Sequence, residues 1–270
     1  MKVKKVKLPN GIEVFCYNKK EAQVIYKQVQ SYVNFGVTIK PGNIVFDIGA
    51  NIGIFSLWIY QVLNQDVSIY AFEPIPSIFE ILKLNSQKFN PRKINVFPYG
   101  LYQSNRELNF YYYPKASAIS TIYPYLEQER EKIKKSVLSN LDQAPAEIKK
   151  LLLLPPSIRS LLLDYDMRRR DKFETFTCPV KTLSTVINEL KIKQIDLLKI
   201  DVEKSEMDIL LGIEKNDWSK VKQVTLEVHD IENRLMNIKA LLAEQGFRRI
   251  EISQEPIFKE ADIFNVYAIK

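Results

Sequence analysis

The sequence predicts an α/β fold: a mostly parallel sheet with helices on both faces. Three observations carry this. Short apolar runs recur at 44–48 (IVFDI), 67–72 (VSIYAF), 94–99, 195–200 (IDLLKI) and 221–228, as in strands covered on both faces. Stretches with helical apolar spacing separate most of them, in the rhythm of βαβ units. Breakers fall at the junctions, among them Lys40-Pro41-Gly42 and Gly246.

Composition narrows the class. The chain has 270 residues, 46% apolar and 26% charged, enough to bury a full core and too apolar for global disorder. Lys and Arg number 39 against 32 Asp and Glu. The excess sits in 1–40 and, more weakly, in 115–175. No dense basic stripe with interleaved aromatics is present, so nucleic acid is not an expected partner. Cys16 and Cys178 match neither a zinc spacing nor a disulfide framework, which makes a reducing cytoplasm the expected location. No apolar segment of a signal peptide follows the first lysines. No run of about 18 apolar residues exists, so no membrane partner is expected either. The single histidine, His229, excludes multi-histidine metal sites.

Taken in order, 3–16 alternates around Pro9-Asn10-Gly11 and predicts a β-hairpin. Residues 20–35 have helical spacing, and 1–40 together form an N-terminal extension. The main domain is expected over 41–270. It starts with strand 44–48, helix 53–63, strand 67–72, helix 75–89 and strand 94–99. Pro74 and Pro76 stand at the second helix's start, where proline is tolerated. Residues 106–113 (RELNFYYY) predict an extra strand. A charged helical stretch over 124–172 is expected to be split at Pro155-Pro156. The pattern resumes with helix 182–190, strand 195–200, helix 205–211, strand 221–228, helix 231–245 and strands 248–253 and 263–269. The segment at about 115–175 is an insertion in one α/β domain, since 49 helical residues bury little core alone.

The first candidate site is Asp47-Ile48-Gly49-Ala50-Asn51-Ile52-Gly53, where the first sheet strand meets a helix. Glycines there allow a tight turn and close approach of a ligand, and strand ends of open α/β sheets bind ligands. Glu73 ends the next strand, where a carboxylate can accept both hydroxyls of a ribose. A dinucleotide fingerprint needs G-x-G-x-x-G, but Asn51 replaces the second glycine and Asp47 would repel a pyrophosphate. S-adenosylmethionine (SAM) carries a sulfonium and an ammonium instead of phosphate, so it fits the acidic block better than NAD. A purely structural role for Gly49 and Gly53, as a tight turn, is the plainer alternative.

Here a resemblance becomes specific. VFDIGANIGIFSL, YAFEPIP, NVFPYGL, TLS, IDLLKIDVEKSEMDILLGI and LEVHD, in that order over roughly 36–270, resemble the FkbM family of SAM-dependent methyltransferases. The resemblance implies the Rossmann-like class I methyltransferase fold with a seven-stranded sheet. It implies SAM as cofactor, held by Asp47, Gly49, Asn51, Gly53, Glu73, Pro74 and Asp201. One departure stands out: many members read KIDVEG, whereas this chain has Lys204. The wording of KIDVEKSE and EVHD resembles the subgroup of nonribosomal-peptide and polyketide assembly lines. Those members O-methylate hydroxyls of intermediates, often on a carrier protein.

The second candidate site gathers Asp201 and Glu203 after one strand and Glu227, His229 and Asp230 at the end of another. Methyl transfer to oxygen requires alignment and removal of a proton. A histidine is well matched to that near pH 7, so His229 is the candidate base, with Asp201 or Glu227 orienting its ring. Plainer roles are a strand-end cap for His229, a helix N-cap for Asp201, and ion pairs of these carboxylates with Lys199 or Lys204. Asp201 with Glu227 or Asp230 could also hold a hard divalent cation, although no metal is favoured. The insertion is a candidate lid, with Tyr111, Tyr112, Tyr113, Tyr123 and Tyr125 either lining a pocket or packing. Arg168, Arg169 and Arg170 are either a solvated helix end or a docking patch for an acidic carrier protein.

The expected function is O-methylation of a hydroxyl of a peptide or polyketide intermediate, which the subgroup resemblance implies to be carrier-bound. The alternatives are a stand-alone methyltransferase of a sugar or small free metabolite, and a non-catalytic SAM-fold binding module.

Overall fold

The computed structural model describes residues 2–88, 90, 93–144 and 146–270. Met1 of the extension, the Phe89 end of predicted helix 75–89 and Pro145 of the insertion lie outside the described residues.

The chain opens with a hairpin of β1 (Lys4–Lys7) and β2 (Glu13–Cys16), with Val6 opposite Val14. Asn18 then caps α1 (Lys19–Gln28), its side chain accepting from the N–H groups of Lys20 and Glu21. The predicted helix 20–35 is shorter than expected. It tightens into a 3-10 turn at Val29–Tyr32, and Phe35 and Gly36 then adopt positive φ, which no helix can continue through.

The main sheet is built from β3 (Asn43–Ile48), β4 (Val67–Phe72), β5 (Ile94–Phe97), β9 (Leu197–Ile200), β10 (Gln223–His229), β11 (Arg249–Ser253) and β12 (Ile263–Ile269). Its seven described strands run in the order β11-β12-β10-β9-β3-β4-β5. The pairs β5-β4, β4-β3, β3-β9 and β9-β10 are parallel, whereas β12 is antiparallel to both its neighbours. All four residues of β9 are buried, at about 1.5–3 kcal/mol for each fully buried aliphatic side chain. Helices α2 (Ile54–Val62), α3 (Pro76–Ser86), α7 (Leu183–Glu189), α8 (Glu206–Leu211) and α9 (Arg234–Glu244) connect these strands. Gly246, at φ +87, ends α9 as expected. The chain runs outward from β3 through β4 to β5, then returns to β9 on the other side. That reversal opens a crevice at the C-terminal ends of β3 and β9.

A second sheet was only half foreseen. It joins β6 (Gly100–Leu101), β8 (Glu174–Lys181) and β7 (Arg106–Tyr112) in the order β6-β8-β7. The sequence marks β7 but not β8, because Pro179 argues against a central strand. The sheet tolerates it because β6 pairs only with Val180 and Lys181.

Between β7 and β8 the insertion forms α4 (Glu127–Ser139), the single turn α5 (Ala146–Lys149) and α6 (Pro156–Arg170), with Pro155 and Pro156 at the start of α6. Helix α6 has no buried residue; Leu161 and Tyr165 are more than 60% exposed.

Candidate active site

The crevice is walled by the loop after β3. Gly49, Asn51 and Gly53 all have positive φ. At Gly49 a Cβ would stand 1.8 Å from the Asp201 carbonyl oxygen, so only glycine lets β3 and β9 end this close together. The Gly49 and Ala50 N–H groups donate to the Phe72 carbonyl, fixing the loop against the end of β4.

Glu73 follows β4 and is 5% exposed. One carboxylate oxygen accepts from the Asn51 N–H at 3.2 Å, the other from the Ile75 N–H at 2.9 Å. Each oxygen keeps a lone pair for a further donor. Burial pushes the Glu73 carboxyl up to about 7, with the two backbone donors pulling the other way. Beside it, a recess is lined by Gly49, Phe72, Pro74, Leu101, Ile122 and Val202, among others. A Cβ on Gly100 would press on Phe110 and Val180. Apolar walls next to a carboxyl group that can accept from hydroxyls suit an adenosyl group, so the residues present fit SAM.

Asp47 departs from expectation. It has no exposed surface, so its charge does not face the crevice. One oxygen accepts from Ser56 Oγ at 2.6 Å and the other lies 3.0 Å from Lys199 Nζ. Lys199 also stands 3.6 Å from Asp201 and donates to the Gly49 carbonyl at 3.0 Å. Burial opposes its charge, but Asp47 and Asp201 outweigh burial and hold the ammonium above its usual pKa. Asp47 therefore anchors the floor of the site through Lys199. Asp201 remains half-buried at the crevice and accepts from the Tyr32 hydroxyl at 2.7 Å. It caps no helix: Ser205 occupies the N-cap of α8, without a side-chain cap bond.

His229 is the last residue of β10 and is buried. Its Nε2 lies 3.2 Å from Glu203 and its Nδ1 3.3 Å from Glu206. With a carboxyl group facing each ring nitrogen, the surroundings of the ring favour its protonated form. Burial works against that charge, but Glu203 and Glu206 outweigh it and raise the His229 pKa well above its ordinary value. Arg234 answers the second oxygen of Glu206 at 3.3 Å. The ring is met by Glu203 and Glu206 and not by the expected Asp201 or Glu227, and their charge favours the form that has no lone pair for a proton.

Glu227 sits two residues earlier on β10. Among the described residues it has no side-chain hydrogen bond, and it is only partly buried. Burial, with Asp201 and Glu203 nearby, raises its pKa well above the usual carboxylate value. Glu203, Glu227 and His229 bring one ligand-type atom each within 4.8 Å of one another. A cation there would first have to displace the His229–Glu203 contact. Asp230 stays apart, accepting from the Leu235 N–H at 3.0 Å.

Of the five tyrosines, Tyr112 and Tyr113 are core, Tyr111 packs edge-on against Phe173, and Tyr123 bonds Asp208. Tyr125 alone reaches the cluster, 2.5 Å from Glu203 and 3.0 Å from His229 Nε2. Sequence reasoning missed Tyr32 and Arg234, and nothing in their local pattern marks them. Lys199 was visible only as a possible ion-pair partner.

This architecture and strand-end crevice define a class I SAM-dependent methyltransferase fold. The Methyltransferase FkbM domain matches residues 47–249, and the chain belongs to the FkbM methyltransferase family. It is 34% identical to the 31-O-demethyl-FK506 methyltransferase FkbM of Streptomyces tacrolimicus, over 98% of this chain and 96% of that one. It is also 34% identical to the AMB antimetabolite synthetase AmbE of Pseudomonas aeruginosa, over 98% of this chain but only 12% of that much longer protein. A crystal structure of methyltransferase FkbM from Methylobacillus flagellatus superposes with TM-score 0.52 at 11% identity, covering 91% of this chain and 51% of that one. That likeness bears on the fold alone. Among the described residues no helix is long and apolar enough to cross a membrane.

Proposed function

We propose that the protein is a SAM-dependent O-methyltransferase acting on a hydroxyl of a peptide or polyketide intermediate. The observation that carries this is Glu227: a carboxylate at the strand end with no side-chain hydrogen bond among the described residues, beside a histidine whose neighbours Glu203 and Glu206 favour its protonated form. Glu73, the 49–53 loop, Pro74 and Asp201 would hold the cofactor. When bound, SAM supplies an electrophilic methyl group on a sulfonium. Glu227 accepts the acceptor hydroxyl's proton; its raised pKa makes it a stronger base than an exposed carboxylate. Lys199 and His229 engage the neighbouring carboxylates, so that Glu227 is the one left to take the proton.

Two relatives support the acceptor class. One is named as the methyltransferase of a 31-O-demethyl compound, the other as an antimetabolite synthetase. An acidic carrier protein is the proposed bearer of the acceptor. Arg168, Arg169 and Arg170 at the exposed end of α6 offer it positive charge, although Asp166 already engages two of them.

The test is methyl transfer from isotope-labelled SAM to hydroxylated acceptors, free and carrier-bound, read by mass spectrometry. Transfer only to carrier-bound hydroxyls supports the proposal. Transfer to free sugars or small metabolites replaces the carrier with a stand-alone activity. Thermal stabilisation by SAM without any transfer leaves a binding module.

A further inference from the structure

Lys204 occupies a backbone position that favours glycine. Its φ is +81, directly after Glu203 at +52, and left-handed conformations strain residues with a Cβ. Yet its side chain is 2% exposed and fully engaged. The ammonium lies 2.6 Å from Glu129 and 3.4 Å from the Pro124 carbonyl, and 3.8 Å from the centre of the Tyr125 ring. These contacts bracket Tyr125 from both sides along the chain. Glu129 also accepts from the Leu126 N–H at 2.6 Å, tying the start of α4 to the same carboxylate. A glycine at 204 would keep the turn and lose all three contacts.

We infer that Lys204 is a positioning residue: it fastens the root of the insertion to the rim so that the Tyr125 hydroxyl stands on His229 and Glu203. Tyr125 thereby closes the end of the crevice where Glu227 lies. The bearing on turnover rests on the proposed methyl transfer, but the contact can be tested without an acceptor.

His229 is the only histidine in the chain, so the NMR signal of its Cε1–H group is unambiguous. Tyr125→Phe removes the hydroxyl and moves that signal directly. Lys204→Gly suits the backbone, and Glu129→Gln lies on the insertion, away from His229. Both are expected to move the His229 signal in the same direction as Tyr125→Phe. Both should also speed amide hydrogen exchange over 124–130 at least tenfold, with β9 and β10 unchanged. The double variant should add nothing to either single one. An unmoved His229 signal in Lys204→Gly, with a moved one in Tyr125→Phe, overturns the inference. Faster exchange throughout β9 and β10 also overturns it, because Lys204 would then be holding the fold and not Tyr125. A protein that transfers no methyl group would give the same NMR and exchange results, so the two proposals fail separately.

Discussion

The rim carries two ion groups that adjoin at Asp201 and Glu203, and they differ in whether every charge is answered. In the first, Asp47 and Asp201 share Lys199, with Ser56 and Tyr32 filling other acceptor positions. In the second, His229 joins Glu203 to Glu206 and Arg234 completes Glu206, but Glu227 keeps no such partner among the described residues. The contrast teaches that a conspicuous carboxylate at a strand end need not face the ligand. A charge neutralised inside the chain holds shape, and one left over is available for chemistry.

The sharpest way to break that contrast is Lys199→Met. It leaves Asp47 buried without a counter-charge, and unfolding in urea should show a loss of about 3–5 kcal/mol. Wild-type stability would mean that Asp47 is not an internal anchor. Glu227→Gln should do the opposite. Stability is retained, cofactor affinity is unchanged, and methyl transfer falls by about 10²–10⁴ in steady-state assays; full activity would return the base to another group.

Glu73 sharpens the comparison through pH. Burial pushes its carboxyl up to about 7, so the protonated form prevails below that value. Ribose hydroxyls donate best to the ionised form, and a ligand bound that way draws the pKa down. SAM affinity measured by calorimetry should therefore rise with pH towards 7 and level off above it. Below pH 7 it should weaken by up to about tenfold per unit, the limit for one linked proton. Glu73→Gln should flatten the profile; an unchanged slope would place the linked proton elsewhere. The smallest effect is expected for Tyr32→Phe, which removes one hydrogen bond to Asp201. Thermal unfolding should report about 0.5–1.5 kcal/mol, and no loss at all would show that solvent satisfies Asp201 equally well.

The main sheet was legible because its signals are local. The run VSIYAF is apolar enough to be a strand wherever it is placed, and it forms β4 with the expected bounds. Gly49 and Gly53 mark the loop because their φ values are properties of those positions. Strand β8 was missed because Pro179 normally argues against a central strand, and only the two-residue reach of β6 excuses it.

The roles of the site residues were less legible. The sequence places His229, Glu203 and Glu206 near strand ends, but not the fact that both imidazole nitrogens meet carboxylates. Nor does it show that Lys199, on β9, reaches Asp47 on β3. Apolar periodicity and turn residues act over a few neighbours, so the sequence by itself determines strands, helices and the crevice they create. Protonation and free charge depend on distances between groups far apart in the chain and on how deeply each is buried. Only the tertiary structure decides those, and with them which carboxylate is spent on the fold and which remains for the reaction.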